Sequence, residues 1–85
     1  FRLFGDFRFG KELFDDGLYD EAKREFERTV SENPTSEEAQ KALLFLGKCH
    51  QKQNNFKEAE ATYRKLIRGY PKNRFSDEAF YELAF

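Results

Sequence analysis

The same residue types recur along this chain at a constant separation of 37 positions. The recurring pairs are Gly10 and Gly47, Ala22 and Ala59, Phe26 and Tyr63, and Pro34 and Pro71. Similarity at one fixed period is the sequence signature of a repeat architecture. A repeated unit of this length cannot bury its own apolar face, so neighbouring copies have to stack. The chain is therefore predicted to form a stacked array, whose curved surface is suited to binding.

Each repeat contains a stripe of apolar residues with the period of an α-helix. The first stripe consists of Tyr19, Ala22, Phe26, Thr29 and Val30, and the second of Phe56, Ala59, Tyr63, Leu66 and Ile67. Residues with this spacing lie on one face of a helix, and charged residues fill the other faces. Each stripe stops before a proline, because proline cannot continue the helical hydrogen-bond ladder. These segments are predicted to be the second helices of two helical hairpins.

A further apolar stripe, from residue 37 to about 53, predicts the first helix of the second hairpin. Thr35 or Ser36 is placed to cap this helix, and Thr35 with Glu38 has the spacing of a capping box. Asn73 stands at the position that corresponds to Ser36. It is therefore predicted to cap the last helix of the chain.

The connections inside the hairpins are short and polar. They are Asp15-Asp16-Gly17 and Gln53-Asn54-Asn55, in which Gly or Asn can adopt a positive φ. Short connections make neighbouring helices antiparallel. The sequence predicts an all-α chain with two full hairpins and one unpaired helix. The expected helices span about 2–15, 19–32, 37–53, 56–69 and 75–85.

Length and composition restrict the class of protein. A chain of 85 residues has room for one domain, and its formal net charge of −1 provides no field that would attract nucleic acid. No run of about eighteen apolar residues occurs, so direct insertion into a membrane is not predicted. The chain starts without Met, so we expect a piece of a longer protein or a matured product. The compartment stays undecided.

The sequence contains no convergent set of catalytic residues. Cys49 and His50 are adjacent, but neighbours on a helix point about 100° apart and no second His exists. The single cysteine also excludes an intrachain disulfide and a Cys cluster for zinc. Acidic pairs such as Glu37-Glu38 lie at helix starts, where they favour the helix dipole. We therefore predict a non-enzymatic protein without cofactor or metal, in which His50 is packed or half-buried and Cys49 is inert.

These residues resemble the tetratricopeptide repeat. That motif has a small residue late in its first helix, Tyr-x-x-Ala at the start of its second, an aromatic residue four positions later and a closing proline. The matching residues are Gly10, Tyr19, Ala22, Phe26 and Pro34, then Gly47, Phe56, Ala59, Tyr63 and Pro71. The resemblance implies a right-handed solenoid of antiparallel helical hairpins, in one domain with units at about 3–36, 40–73 and 77–85. It also implies a non-enzymatic scaffold for protein–protein interaction.

The repeats of that family ordinarily have 34 residues, so the present units are lengthened by three. Lengthened units of this kind are similar in style to repeats of bacterial envelope proteins. That similarity points towards the bacterial periplasm or cell envelope, and the compartment is still not decided by it.

In the tetratricopeptide family, fixed positions of the first helices line a concave groove. Carried onto this sequence, the resemblance implies a peptide groove lined by Phe7, Lys11, Phe14, Lys41, Leu44, Lys48, Lys52 and Tyr81. Lys41, Lys48 and Lys52 fall on one face of one helix, with Lys11 expected beside them. The groove is therefore expected to bind a protein or peptide partner that is acidic or carries a carboxylate.

Alternatives to this groove stay open. The lysine face can be solvated with nothing bound, and its aromatic positions can form apolar pockets or belong to the core. The alternative function is self-association into a homo-oligomer. The last helix presents Phe80, Leu83 and Ala84 with no second helix to cover them, and an exposed apolar stripe favours pairing with another copy.

Overall fold

The computed structural model describes residues 7–84, which form five α-helices and no strand. The helices are α1 (Phe7–Asp15), α2 (Tyr19–Glu32), α3 (Glu37–Lys52), α4 (Phe56–Gly69) and α5 (Arg74–Leu83). The predicted helix ends at residues 2 and 85, and the outer ends of the first and third predicted units, lie outside the described residues. Every other predicted helix end agrees within one residue. The prediction of an all-α chain of helical hairpins is confirmed.

Side-chain caps determine where α3 and α5 begin. The Ser36 Oγ accepts a hydrogen bond from the Ala39 N–H at 3.0 Å, so Ser36 is the cap and the capping box predicted for Thr35 is wrong. The reason is position, because Ser36 directly precedes the first helical residue. At α5 the Asn73 Oδ1 accepts from the Ser76 N–H at 3.1 Å. The Ser76 Oγ accepts from the Asn73 N–H at 2.9 Å, which completes a capping box and confirms Asn73 as the cap.

Two residues with positive φ close the hairpins. Gly17 has a φ of 80° in the turn between α1 and α2, and Asn54 has a φ of 61° in the turn between α3 and α4. Gly and Asn are the residues that adopt this left-handed conformation most readily. The chain can therefore reverse direction within a few residues, and consecutive helices pack against each other.

The central helix is α3, which packs against all four other helices. It lies beside α1 and α5, so the three first helices are neighbours along one face of the array. The core residues come from α2, α3, α4 and α5 and are Ala22, Phe26, Ala42, Leu43, Leu44, Leu46, Cys49, Ala59, Tyr63, Leu66 and Ala79. Burial of their apolar surface is the main driving force for stacking the helices.

Two glycines allow the helices of each hairpin to touch. A Cβ atom added to Gly47 would lie 2.3 Å from the Tyr63 Cε1, and one added to Gly10 would lie 2.5 Å from the Phe26 Cε1. Carbon atoms at these distances overlap, so the ring or the helix would have to move, and a close-packed interior leaves little space for that. The aromatic ring of each second helix therefore occupies the space that a side chain on the first helix would need.

Candidate peptide-binding groove

The face formed by α1, α3 and α5 contains an open groove of about 520 Å³. Its lining residues come from all three of these helices and are Phe14, Phe45, Lys48, Gln51, Lys52 and Glu82. This is the face on which the resemblance placed a peptide groove. Three of the eight predicted residues, Phe14, Lys48 and Lys52, line it directly.

Phe45 is the centre of the aromatic floor of the groove. Its ring centroid lies 5.2 Å from that of Phe7 and 5.2 Å from that of Phe14, both in edge-on arrangements. The buried ring of Phe26 lies 6.1 Å away. Edge-on packing at these distances is favourable because the positive ring edge meets a negative ring face. Phe7 and Phe14 therefore belong partly to the core, and Phe14 also lines the groove.

Phe45 is not among the eight residues predicted to line the groove. It lies inside the continuous apolar run from Ala42 to Leu46, in which no helical period singles out one position. The apolar run itself was the available signal that several faces of α3 are covered, because α3 packs against all four other described helices. Only the packing of α1 against α3 shows that Phe45 points between them.

Two lysines lie over the ring of Phe45. The Nζ of Lys11 is 5.6 Å from the ring centroid and that of Lys48 is 5.2 Å from it. Each ammonium group is also paired with a carboxylate: Lys11 with Asp15 at 2.8 Å and Lys48 with Glu78 at 2.8 Å. A cation over an aromatic face contributes about 0.5–1 kcal/mol at an exposed site. The structure thus places Lys11 and Lys48, which the resemblance implied to be neighbours, beside the same aromatic ring.

The remaining predicted residues lie in different environments. Lys41 has its Nζ 3.5 Å from the Glu38 Oε1 and 5.9 Å from the ring centroid of Phe7. Leu44 is 2% exposed and belongs to the core, so its side chain cannot contact a ligand in this structure. Tyr81 is 61% exposed on α5. The predicted set is therefore not one continuous surface.

The charges of the groove are locally balanced. Lys11, Lys41 and Lys48 each have a carboxylate within 4 Å, whereas Lys52 makes no ion pair with any other residue of the described part of the chain. Glu82 adds a further carboxylate to the lining. A ligand therefore meets alternating charges over an aromatic floor rather than a broad positive field, and its own carboxylate competes with Glu78 for Lys48.

The adjacent Cys49 and His50 do not form a reactive couple. Cys49 is fully buried, and burial raises the pKa of its thiol to about 12, so the thiol stays protonated near neutral pH. Burial, assisted by the nearby Lys23, lowers the pKa of His50. The His50 Nδ1 is buried and has no hydrogen-bond partner. Cys49 is buried and His50 is half-buried, in agreement with the prediction.

Between residues 7 and 84, no three His, Cys, Asp or Glu side chains are grouped closely enough to hold a metal ion. Within the same part of the chain, no helix combines the length and the apolar character needed to cross a bilayer.

Comparison with protein families gives one match. The family model described as "Tetratricopeptide repeat" matches residues 7–74, which is most of the chain. Neither the curated proteins nor the solved structures that were compared gave a significant match. The repeats of this family generally mediate protein–protein interactions, and the family is generally a non-enzymatic scaffold. The paired glycine and aromatic contacts, the hairpin order and this match agree, and the chain belongs to the tetratricopeptide repeat family.

Proposed function

We propose that this protein is a non-enzymatic interaction scaffold that binds an extended peptide segment of a partner protein in the groove between α1, α3 and α5. The observation that carries the proposal is the surface around Phe45, where an open aromatic floor is flanked by Lys11 and Lys48. A groove with an apolar floor and a few polar groups around it is typical of ligand sites.

The lining residues offer three kinds of contact to a peptide. The rings of Phe14 and Phe45 can pack against an apolar side chain. Gln51 accepts a hydrogen bond from the Tyr63 hydroxyl through its Oε1 at 2.6 Å, which leaves its amide N–H groups to donate to a peptide carbonyl. Lys48 and Lys52 can pair with a carboxylate. A segment in which aromatic and acidic residues alternate would use all three contacts.

An acidic ligand has to exchange with the internal ion pairs of the groove. The Glu78 carboxylate lies 2.8 Å from the Lys48 ammonium group. The Glu78 side chain is 45% exposed and the Lys48 side chain is 25% exposed. Pairs of this kind contribute little to stability, so a ligand carboxylate can replace Glu78 at small cost. Lys52 is exposed and is open to pairing without any exchange. We expect the electrostatic part of the affinity to decrease with added salt.

A titration with two synthetic peptides tests the groove. One peptide alternates Phe with Glu, and the other has Gln in place of every Glu. We expect the Glu peptide to bind more tightly at low salt and to shift the amide resonances of Lys48 and Gln51. Lys48→Glu should weaken its binding roughly tenfold, because an attraction becomes a repulsion.

Lys57→Glu is the matched control, because Lys57 is exposed on α4 and does not line the groove. It should leave the affinity unchanged. Absence of binding by both peptides, or equal weakening by the two charge reversals, would contradict the groove.

Self-association is a second candidate function. It is supported by Phe80, which is 68% exposed on α5. Sedimentation equilibrium over a wide concentration range tests it directly. A dimer that disappears on Phe80→Ser would support self-association, and a monomer of 10.1 kDa at every concentration would count against it.

A further inference from the structure

A cleft separate from the groove lies between α2 and α4, with α3 as its floor. Among the described helices, α2 and α4 each pack against α3 but not against each other. The space between them is a cavity of about 340 Å³. Its lining residues are Glu27, Val30 and Ser31 of α2, Leu43, Leu46 and His50 of α3, and Thr62 and Lys65 of α4. The cleft is therefore the place where the first and second units meet.

His50 stands at a packing position of this floor. It follows Leu43 and Leu46 on the same face of α3, at helical spacing. The residue that corresponds to His50 in the first unit is Leu13, which is partly buried and packs against the core. Packing at this position therefore needs only an apolar side chain, and the imidazole adds polar atoms to it.

One of these polar atoms is buried without a partner. The His50 Nδ1 has no hydrogen bond to any residue that the structure describes. A buried group without hydrogen bonds is much more costly when it is charged than when it is neutral. Burial accordingly lowers the pKa of His50. The closed arrangement of α2, α3 and α4 therefore suits the uncharged imidazole and disfavours the imidazolium.

The charges around His50 come from both walls of the cleft. On α2, Lys23 lowers the pKa of His50, whereas the smaller effects of Glu58 on α4 and Glu27 on α2 raise it. Lys65 adds a positive charge to the α4 wall. The turn that follows α3, residues 53–55, has no charged side chain. Burial is the largest influence and Lys23 the second, so the surroundings as a whole oppose protonation.

We propose that His50 makes the packing of the first unit on the second sensitive to acid, because protonation of its imidazole loosens α2 and α4 from α3. In the unfolded chain the imidazole has an ordinary pKa of about 6.5. The folded pKa lies below this value, so the stabilisation is complete above about pH 6.5 and is lost as the pH falls through the folded pKa. This property does not depend on what the groove binds.

A titration followed by NMR tests the environment of the imidazole. His50 is the only histidine of the chain, so its ring signals need no further assignment. We expect a midpoint below about pH 6.5. Lys23→Gln should raise the midpoint, and Glu58→Gln should lower it. Lys72→Gln is the control, because Lys72 lines a different cavity, and it should leave the midpoint unchanged.

The reactivity of Cys49 measures the loosening itself. Cys49 is fully buried beside His50 and is the only cysteine of the chain. Dithiodipyridine reacts with thiols in mild acid, and the ratio of its rate in urea to its rate with the folded protein gives the protection of Cys49 at each pH. From about pH 7.5 to about pH 5.5, where most carboxylates are still ionised, this protection should fall several-fold. In His50→Leu, which copies Leu13, it should stay constant.

Lys23→Gln provides a second test of the same step. Because it raises the folded pKa towards the unfolded one, the fall in protection of Cys49 should be smaller than in the natural sequence. Three outcomes would overturn the proposal. They are a titration midpoint of His50 at or above its ordinary value, an equal fall in protection in His50→Leu and the natural sequence, and a fall that Lys23→Gln leaves unchanged or enlarges.

Discussion

The helices are arranged in the same way where the first unit meets the second and where the second meets the third. The side chains at these two junctions differ. The corresponding residues are Phe14 and Gln51, Phe26 and Tyr63, and Phe45 and Glu82. At the first junction the rings of Phe14 and Phe45 pack edge-on at 5.2 Å. At the second, Glu82 stands in place of the Phe45 ring, and the Tyr63 hydroxyl donates to Gln51 inside the second hairpin at 2.6 Å. The close contact of a glycine with an aromatic ring is kept inside both hairpins, while the residues around it differ.

This difference changes the energetics of the two junctions. The first needs no hydrogen bonds between its side chains, since it consists of apolar rings. The second buries a hydroxyl, which would cost free energy without its hydrogen bond to Gln51. Burial, followed by the charges of Glu82 and Glu78, raises the pKa of Tyr63, so its hydroxyl remains a donor well above neutral pH. The aromatic junction is therefore expected to be the more stable of the two.

The largest effect is expected from Phe26→Ala at the first junction. Phe26 is fully buried and packs against Phe7 and Phe45, so its loss should lower the free energy of unfolding by about 3–5 kcal/mol. Phe80→Ala, at a site that is 68% exposed, should change it by less than about 1 kcal/mol. Urea unfolding followed by circular dichroism measures both. Similar costs for the two variants would contradict the aromatic core of this junction.

Gly47→Ala tests the glycine–aromatic contact that the first and second hairpins share. The added Cβ would lie 2.3 Å from the Tyr63 ring, so we expect a net loss of about 1–3 kcal/mol despite the higher helix propensity of alanine. Gly69→Ala is the matched control, because a Cβ there meets no atom within 4 Å. It should leave stability unchanged or raise it by up to about 1 kcal/mol. A stabilised Gly47→Ala variant would show that the ring and the glycine are not in close contact.

Tyr63→Phe removes the polar feature of the second junction alone. The ring stays in place and the hydrogen bond to Gln51 is lost, so stability should fall by about 1 kcal/mol. Repeating the change in a Gln51→Leu background should give a smaller loss, because the acceptor is then already absent. Equal losses in the two backgrounds would mean that this bond does not stabilise the junction.

The smallest effect is expected from the ion pair of Lys48 and Glu78, which links α3 and α5. A double-mutant cycle with Lys48→Ala and Glu78→Ala should give a coupling of about 0.2–1 kcal/mol, since both side chains are partly exposed. The coupling should decrease at about 1 M salt. The pair of Lys11 and Asp15, which lies within one helix, provides a cycle for comparison. A coupling that salt does not change would indicate contacts other than charge pairing.

The candidate groove followed in outline, and not in detail, from the family resemblance. That resemblance implied its location on the first helices and placed Lys11 beside Lys48. The burial of Leu44 and the central place of Phe45 were not, because both residues lie in the apolar run of α3 and their directions depend on how α1 and α5 cross it. The pairing of Lys48 with Glu78 joins residues 30 positions apart, and stacking of the units does not by itself specify which side chains of α3 and α5 meet.

By itself, the sequence determined the repeat, the five helices and almost every helix end, because period, proline and capping residues act over a few neighbouring positions. It also placed a glycine on the first helix and an aromatic residue on the second helix of each full hairpin. Only the tertiary structure decided which lysines lie over the ring of Phe45, which carboxylates neutralise them and that Lys72 lines the same cavity as Phe80. These features depend on the distances between helices, which no local pattern contains.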